Sequence, residues 1–357
     1  MYRIKKSLGI LLIMLLAVSM GACAPKQTAT ENTTPAEEPQ HKELTVYTSL
    51  PESEVPVYMN AFQESTGIKV NYVRLSAGEV LTKLQVEKNN PQASVWHGGP
   101  ADTFIAAAKE GLLAKYESTE LSNVPEVYKD KDGLWSPIYV GALSFAVDSE
   151  WFAKNKLEYP TSWDDLLKPE FKGQISVAHP GSSGTSYTVL ATLVQMKGEE
   201  ATWDYLKKLN SNVRQYTKSG SAPPKVVALG EAAIGISFSH DSLKPTAEGY
   251  PIALSFPKEG TGYEIGAVAL INGGPEKEMD NAKKFIDWCL SKEGQNLYED
   301  SKSFRMPVNK DANPPKGAIK ISDLNVIEYD FVWAGENRKR LVEAFSNTVA
   351  NQENLKE

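Results

Sequence analysis

Two apolar stretches of β character, IYVGALSFAV (138–147) and YEIGAVALING (263–273), frame a long segment with its own succession of helices and strands. A chain that leaves one folded body, builds a second and returns to the first crosses between them twice. Two crossovers make a hinge. This bracketing constrains the fold more than any local pattern, because it predicts which parts of the chain share a core.

The flanking segments fill in the two bodies. ELTVYTSL (43–50), IKVNYVRL (68–75) and ASVWHGG (93–99) read as strands, separated by amphipathic helical stretches that stop at Gly67 and Pro91. Those two residue types favour helix ends. A β-α-β-α-β-α order is that of a parallel sheet with helices on its faces. Inside the bracket, a strand in QISVAHP (174–180), another from Val213 and a third in AIGISF (233–238) alternate with helical stretches. The expected fold is α/β with two lobes, each a mixed sheet flanked by helices, joined by a two-crossover hinge. Residues 43–139 and 266–357 form lobe 1, and residues 140–265 form the inserted lobe 2. Ligands of open α/β sheets sit beyond the carboxyl ends of the strands, which places a site in the cleft between the lobes.

The beginning of the chain addresses location. Arg3, Lys5 and Lys6 precede an apolar run from Leu8 to Met20, followed by Gly21-Ala22-Cys23. The run is shorter than the roughly 20 residues of a membrane span and reads as an export signal covering residues 1–22. Small residues directly before a cysteine resemble a lipobox, in which Cys23 is acylated and becomes the new N-terminus. The alternative is an ordinary signal with an incidental cysteine. Residues 23–42, rich in Thr, Pro, Glu and Ala, cannot bury enough surface to order themselves and suit a flexible tether. Lipid anchor and tether together place the folded part at the outer face of a cytoplasmic membrane, on the cell surface or in a periplasm. The net charge of −7 becomes −10 without Arg3, Lys5 and Lys6. Such an acidic body argues against nucleic acid or an anionic lipid surface as partner. Cys23 and Cys289 are the two cysteines, so acylation of the first leaves no internal disulfide.

Three hydroxyl-rich turns follow predicted strands: Thr48-Ser49, PGSSGTS (180–186) and KSGSAPP (218–224). At a helix start the first N–H groups lack internal acceptors and the helix dipole is positive. Glycine lets a ligand approach the backbone, and Ser or Thr adds a donor. Each turn alone reads better as a capping arrangement. Three converging on one cleft suit an oxyanion such as phosphate, phosphonate, carboxylate or sulfate, with Ser49, Ser183, Gly184, Thr185, Ser219 and Gly220 as the candidates. GSSGTS lacks the Lys-Ser/Thr ending of a nucleotide-hydrolysing loop, and neither G-x-S-x-G nor H-E-x-x-H occurs. No cofactor or metal site is expected, and no catalytic residue is assigned.

The strand AIGISF runs into Ser239-His240-Asp241 at the cleft. Asp241 suits hydrogen bonds from hydroxyls or an ammonium rather than a phosphate, and His240 suits either kind of group. Glu264, in GYEIG at the second crossover, is a further acceptor. Trp96 and His97 end the third strand, where Trp96 either stacks on a ligand or fills the core and His97 either donates to it or does not. Arg74 and Arg305 are the other cations of interest.

From LTVYTSL onward the chain resembles the extracytoplasmic solute-binding proteins of ABC importers, in the group that includes ferric-iron carriers. The resemblance rests on the order LTVYTS, WHGGPADTF, YPTSWDDLLKPEFKGQISVAHPGSSGTSYT, GEAAIGIS and EGTGYEIGAVALINGGPE. It implies a type II periplasmic-binding-protein fold acting as a monomer beside a membrane permease and a separate ATPase subunit, with no enzymatic role. Iron-binding members hold the metal with paired tyrosines after the strand equivalent to GISF. Here those places read Ser239-His240-Asp241, which argues against iron and resembles members that bind hexose phosphates. That resemblance implies sugar contacts from His240, Asp241 and Glu264. The remaining readings are 2-aminoethylphosphonate, ferric iron with a synergistic anion and, last, a secreted hydrolase.

Overall fold

A computed structural model describes residues 41–349. The export signal, Cys23, residues 24–40 of the expected tether and residues 350–357 lie outside them. In chain order the described elements are β1 (Glu43–Thr48), α1 (Val55–Thr66), β2 (Lys69–Arg74), α2 (Ala77–Val86), β3 (Val95–Pro100), α3 (Ala101–Lys109), β4 (Leu113–Ala114), β5 (Ser136–Asp148), α4 (Ser149–Asn155), β6 (Ile175–Ala178), α5 (Gly184–Lys197), α6 (Glu199–Asn210), β7 (Val213–Thr217), α7 (Pro223–Ala228), β8 (Ile234–Phe238), α8 (Ser239–Ala247), β9 (Ile252–Ser255), β10 (Tyr263–Ile271), α9 (Met279–Leu290), α10 (Lys292–Asp300), β11 (Met306–Pro307) and α11 (Phe331–Thr348).

Local sequence accounts for several boundaries. Ser76 and Glu79 form a reciprocal capping box at the start of α2, which satisfies two N–H groups the helix cannot. Pro56 opens α1, and Gly67 closes it in the left-handed conformation at φ 69°, where a Cβ would be strained. The helical tract after residue 276 divides at Ser291, whose hydroxyl accepts from the Gly294 N–H and restarts the chain as α10.

The strands form one hydrogen-bonded path in the order β2-β1-β3-β10-β5-β8-β6-β7. β1 pairs in parallel with β2 and β3, and β6 pairs in parallel with β7 and β8. β10 and β5 run antiparallel between these two groups. Two separate sheets are the sequence expectation, and the 13-residue β5 explains why the path is continuous. Its first part, Ser136 to Ala142, pairs with β10, and its second, Leu143 to Asp148, pairs with β8 and β9. One strand thus belongs to both groups.

Two hydrophobic cores lie on this frame. Val46, Phe62, Trp96, Phe104, Val268 and Phe285 belong to one. Phe145, Trp163, Tyr187, Leu190, Ile236 and Phe238 belong to the other. The C-terminal α11 serves both parts. Its Leu341 and Phe345 join the second core, while Gly335 sits so close to α3 that a Cβ there would lie 2.6 Å from Ile105 Cγ2.

Phe145 is fully buried on β5 and meets the Trp163 ring edge to face at 5.1 Å between centroids. Phe145→Ala should cost about 3–5 kcal/mol, read as a lower urea midpoint at unchanged slope. Val86→Ala, at a side chain 83% exposed, should stay within about 0.5 kcal/mol. Equal effects of the two would contradict the assignment of the second core.

Candidate functional site

Two groups of three parallel strands end facing one cavity, and the residues at or just past each end line it. Ser49 and Pro51 follow β1, Arg74 and Ser76 end β2, and Gly99 and Pro100 end β3. From the other core, Ser183, Gly184 and Thr185 follow β6, Ser219, Gly220 and Ser221 follow β7, and His240 and Asp241 follow β8. Tyr139, Glu264 and Arg305 close the wall from β5, β10 and the segment before β11. The space between these walls is about 380 Å³, including the part open to solvent. All six predicted oxyanion residues line it, together with His240, Asp241 and Glu264.

One part of the lining is hydroxyls, backbone and a guanidinium. Arg74 donates through Nε to the Leu50 carbonyl at 3.1 Å and through Nη2 to Ser219 Oγ at 2.9 Å, so one side chain ties the two cores together at the cavity. Burial holds its pKa below the usual arginine value, opposed by Glu52, Glu79 and Asp241. Ser183 caps α5 by accepting from the Ser186 N–H at 3.2 Å, and the first N–H groups of that helix have no acceptor within it. A Cβ on Gly220 would overlap Thr185 Oγ1, and one on Gly184 would come against the Pro100 ring. Both glycines are therefore required by close approach.

Another part is a chain of titratable groups held close together. Arg305 is 2% exposed and pairs through Nη1 with Glu54. Its Nη2 lies 3.7 Å from Asp241 Oδ1, and its guanidinium carbon lies 4.9 Å from the centre of the Tyr139 ring. Lys244 reaches Glu54 from α8, at 3.4 Å. His240 Nε2 stands 3.5 Å from Glu264 Oε1 and 3.8 Å from Asp241 Oδ2. Burial, reinforced by Arg305, pushes the His240 pKa well down, so the ring is neutral. Burial pushes the Glu264 carboxyl well up, against the pull of Arg305. Burial also raises Asp241 to about 6, with Arg305 opposing and Glu54 assisting. The wall thus offers a neutral imidazole, a Glu264 carboxyl of raised proton affinity and, above about pH 6, the Asp241 carboxylate as an acceptor. A polyhydroxylated body needs that mixture. Arg305 Nε and His240 Nδ1 have no partner among the described residues.

Two expected ligand contacts are corrected. Trp96 and His97 do not line the cavity. Trp96 is fully buried and stacks on Phe104 at 3.9 Å, while His97 is 3% exposed with Nδ1 3.3 Å from Thr48 Oγ1. β3 is covered on both faces, so its alternate side chains both enter the core. Only its end, Gly99-Pro100, reaches the cavity. Trp96 acts one layer back, donating from Nε1 to Ser49 Oγ at 3.2 Å. The setting of His240-Asp241 also differs. They do not end an extended strand but begin α8, where an acidic first turn is favoured, and both side chains line the cavity. Ser49 likewise sits in a loop rather than at a helix start, since α1 begins at Val55. Ser76, Ser221 and Tyr139 were not singled out by sequence. The first two obey the strand-end rule that found the others.

Asp241 binds its proton more tightly in the folded protein, at about 6, than its ordinary value of 3.8 allows. Its contribution to stability is therefore present at low pH and lost as pH rises through about 6. Asp241→Asn removes this dependence. The stability of the variant minus that of the parent should rise between pH 4 and 7, on the order of 3 kcal/mol at most, in urea titrations at each pH. A flat difference would contradict the burial of this carboxyl.

Comparison with known proteins bears on what such a cavity belongs to. A solved structure of the periplasmic binding protein AfuA from Actinobacillus pleuropneumoniae, with exogenous fructose-6-phosphate bound, superposes with a TM-score of 0.83 at 37% identity, covering 86% of this chain and 98% of that one. An uncharacterized protein of Haemophilus influenzae is 41% identical over 314 residues, 86% of this chain and 90% of its own. A periplasmic protein of Salmonella typhimurium named for 2-aminoethylphosphonate binding is 31% identical over 265 residues, 72% of this chain and 75% of its own. The sequence profile of bacterial extracellular solute-binding proteins matches residues 101–332, well over half of the chain, and the chain belongs to that family.

Proposed function

We propose that this chain captures a hexose phosphate in its cavity and delivers it to the membrane permease of an ABC importer, whose ATPase is a separate subunit. The observation that carries the reading is the polarity of one cavity. Hydroxyls, helix-start N–H groups and Arg74 make up one part of its lining, and His240, Asp241 and Glu264 make up another. The bound sugar phosphate of the 37% identical AfuA supports it. In this reading the phosphate meets Ser49, Ser183, Gly184, Thr185, Ser219 and Gly220, and the sugar hydroxyls meet the acidic part. Lobe 1 comprises residues 43–139 and 266–357 and lobe 2 residues 140–265, and the lobes close over the ligand. Each lobe alone offers half of the contacts, so binding favours the closed state. Residues 1–22 are removed on export, and Cys23 carries the lipid that holds the monomer at the outer face of the cytoplasmic membrane.

The second reading is 2-aminoethylphosphonate, favoured by the name of the Salmonella relative. Here the ammonium would pair with Asp241. Arg305 stands 3.7 Å from the same carboxylate, and a second cation beside it is disfavoured by like charge. Hydroxyls carry no such penalty, which ranks the sugar phosphate first.

Thermal shift with glucose-6-phosphate, fructose-6-phosphate, 2-aminoethylphosphonate and ferric citrate separates the readings. A ligand at a hundredfold excess over its Kd adds about 2.7 kcal/mol of stability. The hexose phosphates should give the largest shift. Asp241→Ala should weaken them about 10- to 150-fold, the worth of a hydrogen bond to a charged group, and leave inorganic phosphate nearly unchanged. If both lose equally little, the acidic part does not hold the sugar.

A further inference from the structure

We propose that the cleft also takes phosphorylated disaccharides, with the second sugar ring seated in a cavity adjoining the first. The proposal rests on the sugar-phosphate reading above and extends it to a larger substrate class. The second cavity shares Pro51, Ser221 and Asp241 with the first. These three residues therefore stand between the two spaces, on the loops after β1 and β7 and at the start of α8. The adjoining space is about 800 Å³ on the same measure that gives about 380 Å³ for the first.

Its walls suit a pyranose. A sugar ring presents weakly polar C–H faces and a hydroxyl rim. The cavity offers apolar surface from Leu229, Pro245 and Tyr250, and charged groups of both signs from Lys225, Lys244 and Glu248. Leu229 is 68% exposed and Tyr250 42% exposed, apolar surface left open beside a polar cleft. Lys244 donates to Ser53 Oγ at 2.8 Å and to Glu54 Oε1 at 3.4 Å, which leaves one of its three N–H donors for a ligand. With Asp241 the two cations meet two anions, so the space asks for a neutral polar body and not a second anion.

Asp241 places a substituent there. In a hexose 6-phosphate the anomeric carbon and the carbon bearing the phosphorylated arm flank the ring oxygen, so an anomeric substituent leaves the ring on a different bond from the phosphate. With the phosphate among the hydroxyls and Arg74 and ring hydroxyls on Asp241, the ring borders a residue that lines both spaces. A glycosidic substituent at the anomeric carbon then has the second cavity beside it, where a closed pocket would reject it.

Calorimetry with glucose-6-phosphate and trehalose-6-phosphate tests this, since the latter is the former carrying a second glucose at its anomeric carbon. The two should bind within about tenfold of each other, a difference of about 1.4 kcal/mol. Ala228→Trp and Leu229→Trp, which fill the second cavity from the end of α7, should each weaken trehalose-6-phosphate by about tenfold or more and leave glucose-6-phosphate within about twofold. The inference is overturned if glucose-6-phosphate binds and trehalose-6-phosphate is more than about tenfold weaker, or if both variants weaken the two ligands equally. Binding of neither compound overturns the sugar-phosphate reading itself, and this extension with it.

Discussion

The burial of Arg305 sets the electrostatics of the whole site. Removing a guanidinium from water costs several kcal/mol unless close partners compensate. Glu54, the face of Tyr139 and Asp241 supply that compensation. Burial alone would lower the arginine's pKa, but Glu54, Tyr139, Asp241 and Tyr58 together raise it well above normal. The fixed cation then acts on its neighbours. It helps keep His240 and His97 uncharged and restrains the upward shifts of Asp241 and Glu264. Without it, both carboxyl groups would hold their protons more tightly, and the cleft would be a weaker acceptor.

The same network joins the two cores. Arg305 and Glu54 come from the part of the chain built on the first core, and Asp241 and Lys244 from α8 beside the second. Arg74 to Ser219 and the Gly78 N–H to the Ser182 carbonyl, both at 2.9 Å, add two further bridges. Behind them, Asp102 on α3 accepts from Thr188 on α5 at 3.2 Å and from Tyr329 at 2.9 Å. Continuity of β5 fixes the floor, and these polar contacts form the walls. The site is thus a product of the sheet topology: parallel strands on each side of an antiparallel pair aim their carboxyl ends at one space.

Much of this was legible in the sequence, and the limits have physical causes. The bracketing stretches at 138–147 and 263–273 revealed the two-part fold because buried strands carry long apolar runs. The rule that ligands lie past the carboxyl ends of strands found Ser49, the Ser183–Thr185 turn, Ser219-Gly220 and His240-Asp241. Applied to the strand ending at Arg74, it also reaches Ser76. It misled at Trp96 and His97, because an apolar strand buried on both faces shows the same pattern as one with a cleft-facing side. Arg305 is placed by the two-residue β11, whose pairing with Val140 and Tyr139 is long-range and leaves no local signal. Tyr139 was hidden inside an apolar run for the same reason. The helical start at Ser239 escaped notice because an apolar strand runs directly into it without a turn residue.

The central claim is that one ligand spans the cavity with its oxyanion on one side and its hydroxyls on the other. A crystal structure of the protein soaked or grown with glucose-6-phosphate tests it most directly. The account predicts the phosphate within hydrogen-bond distance of Arg74, Thr185 and Ser219, and ring hydroxyls on Asp241 and Glu264. A phosphate found beside Arg305 with the sugar among the serines, or a ligand lying outside this cavity, would contradict it.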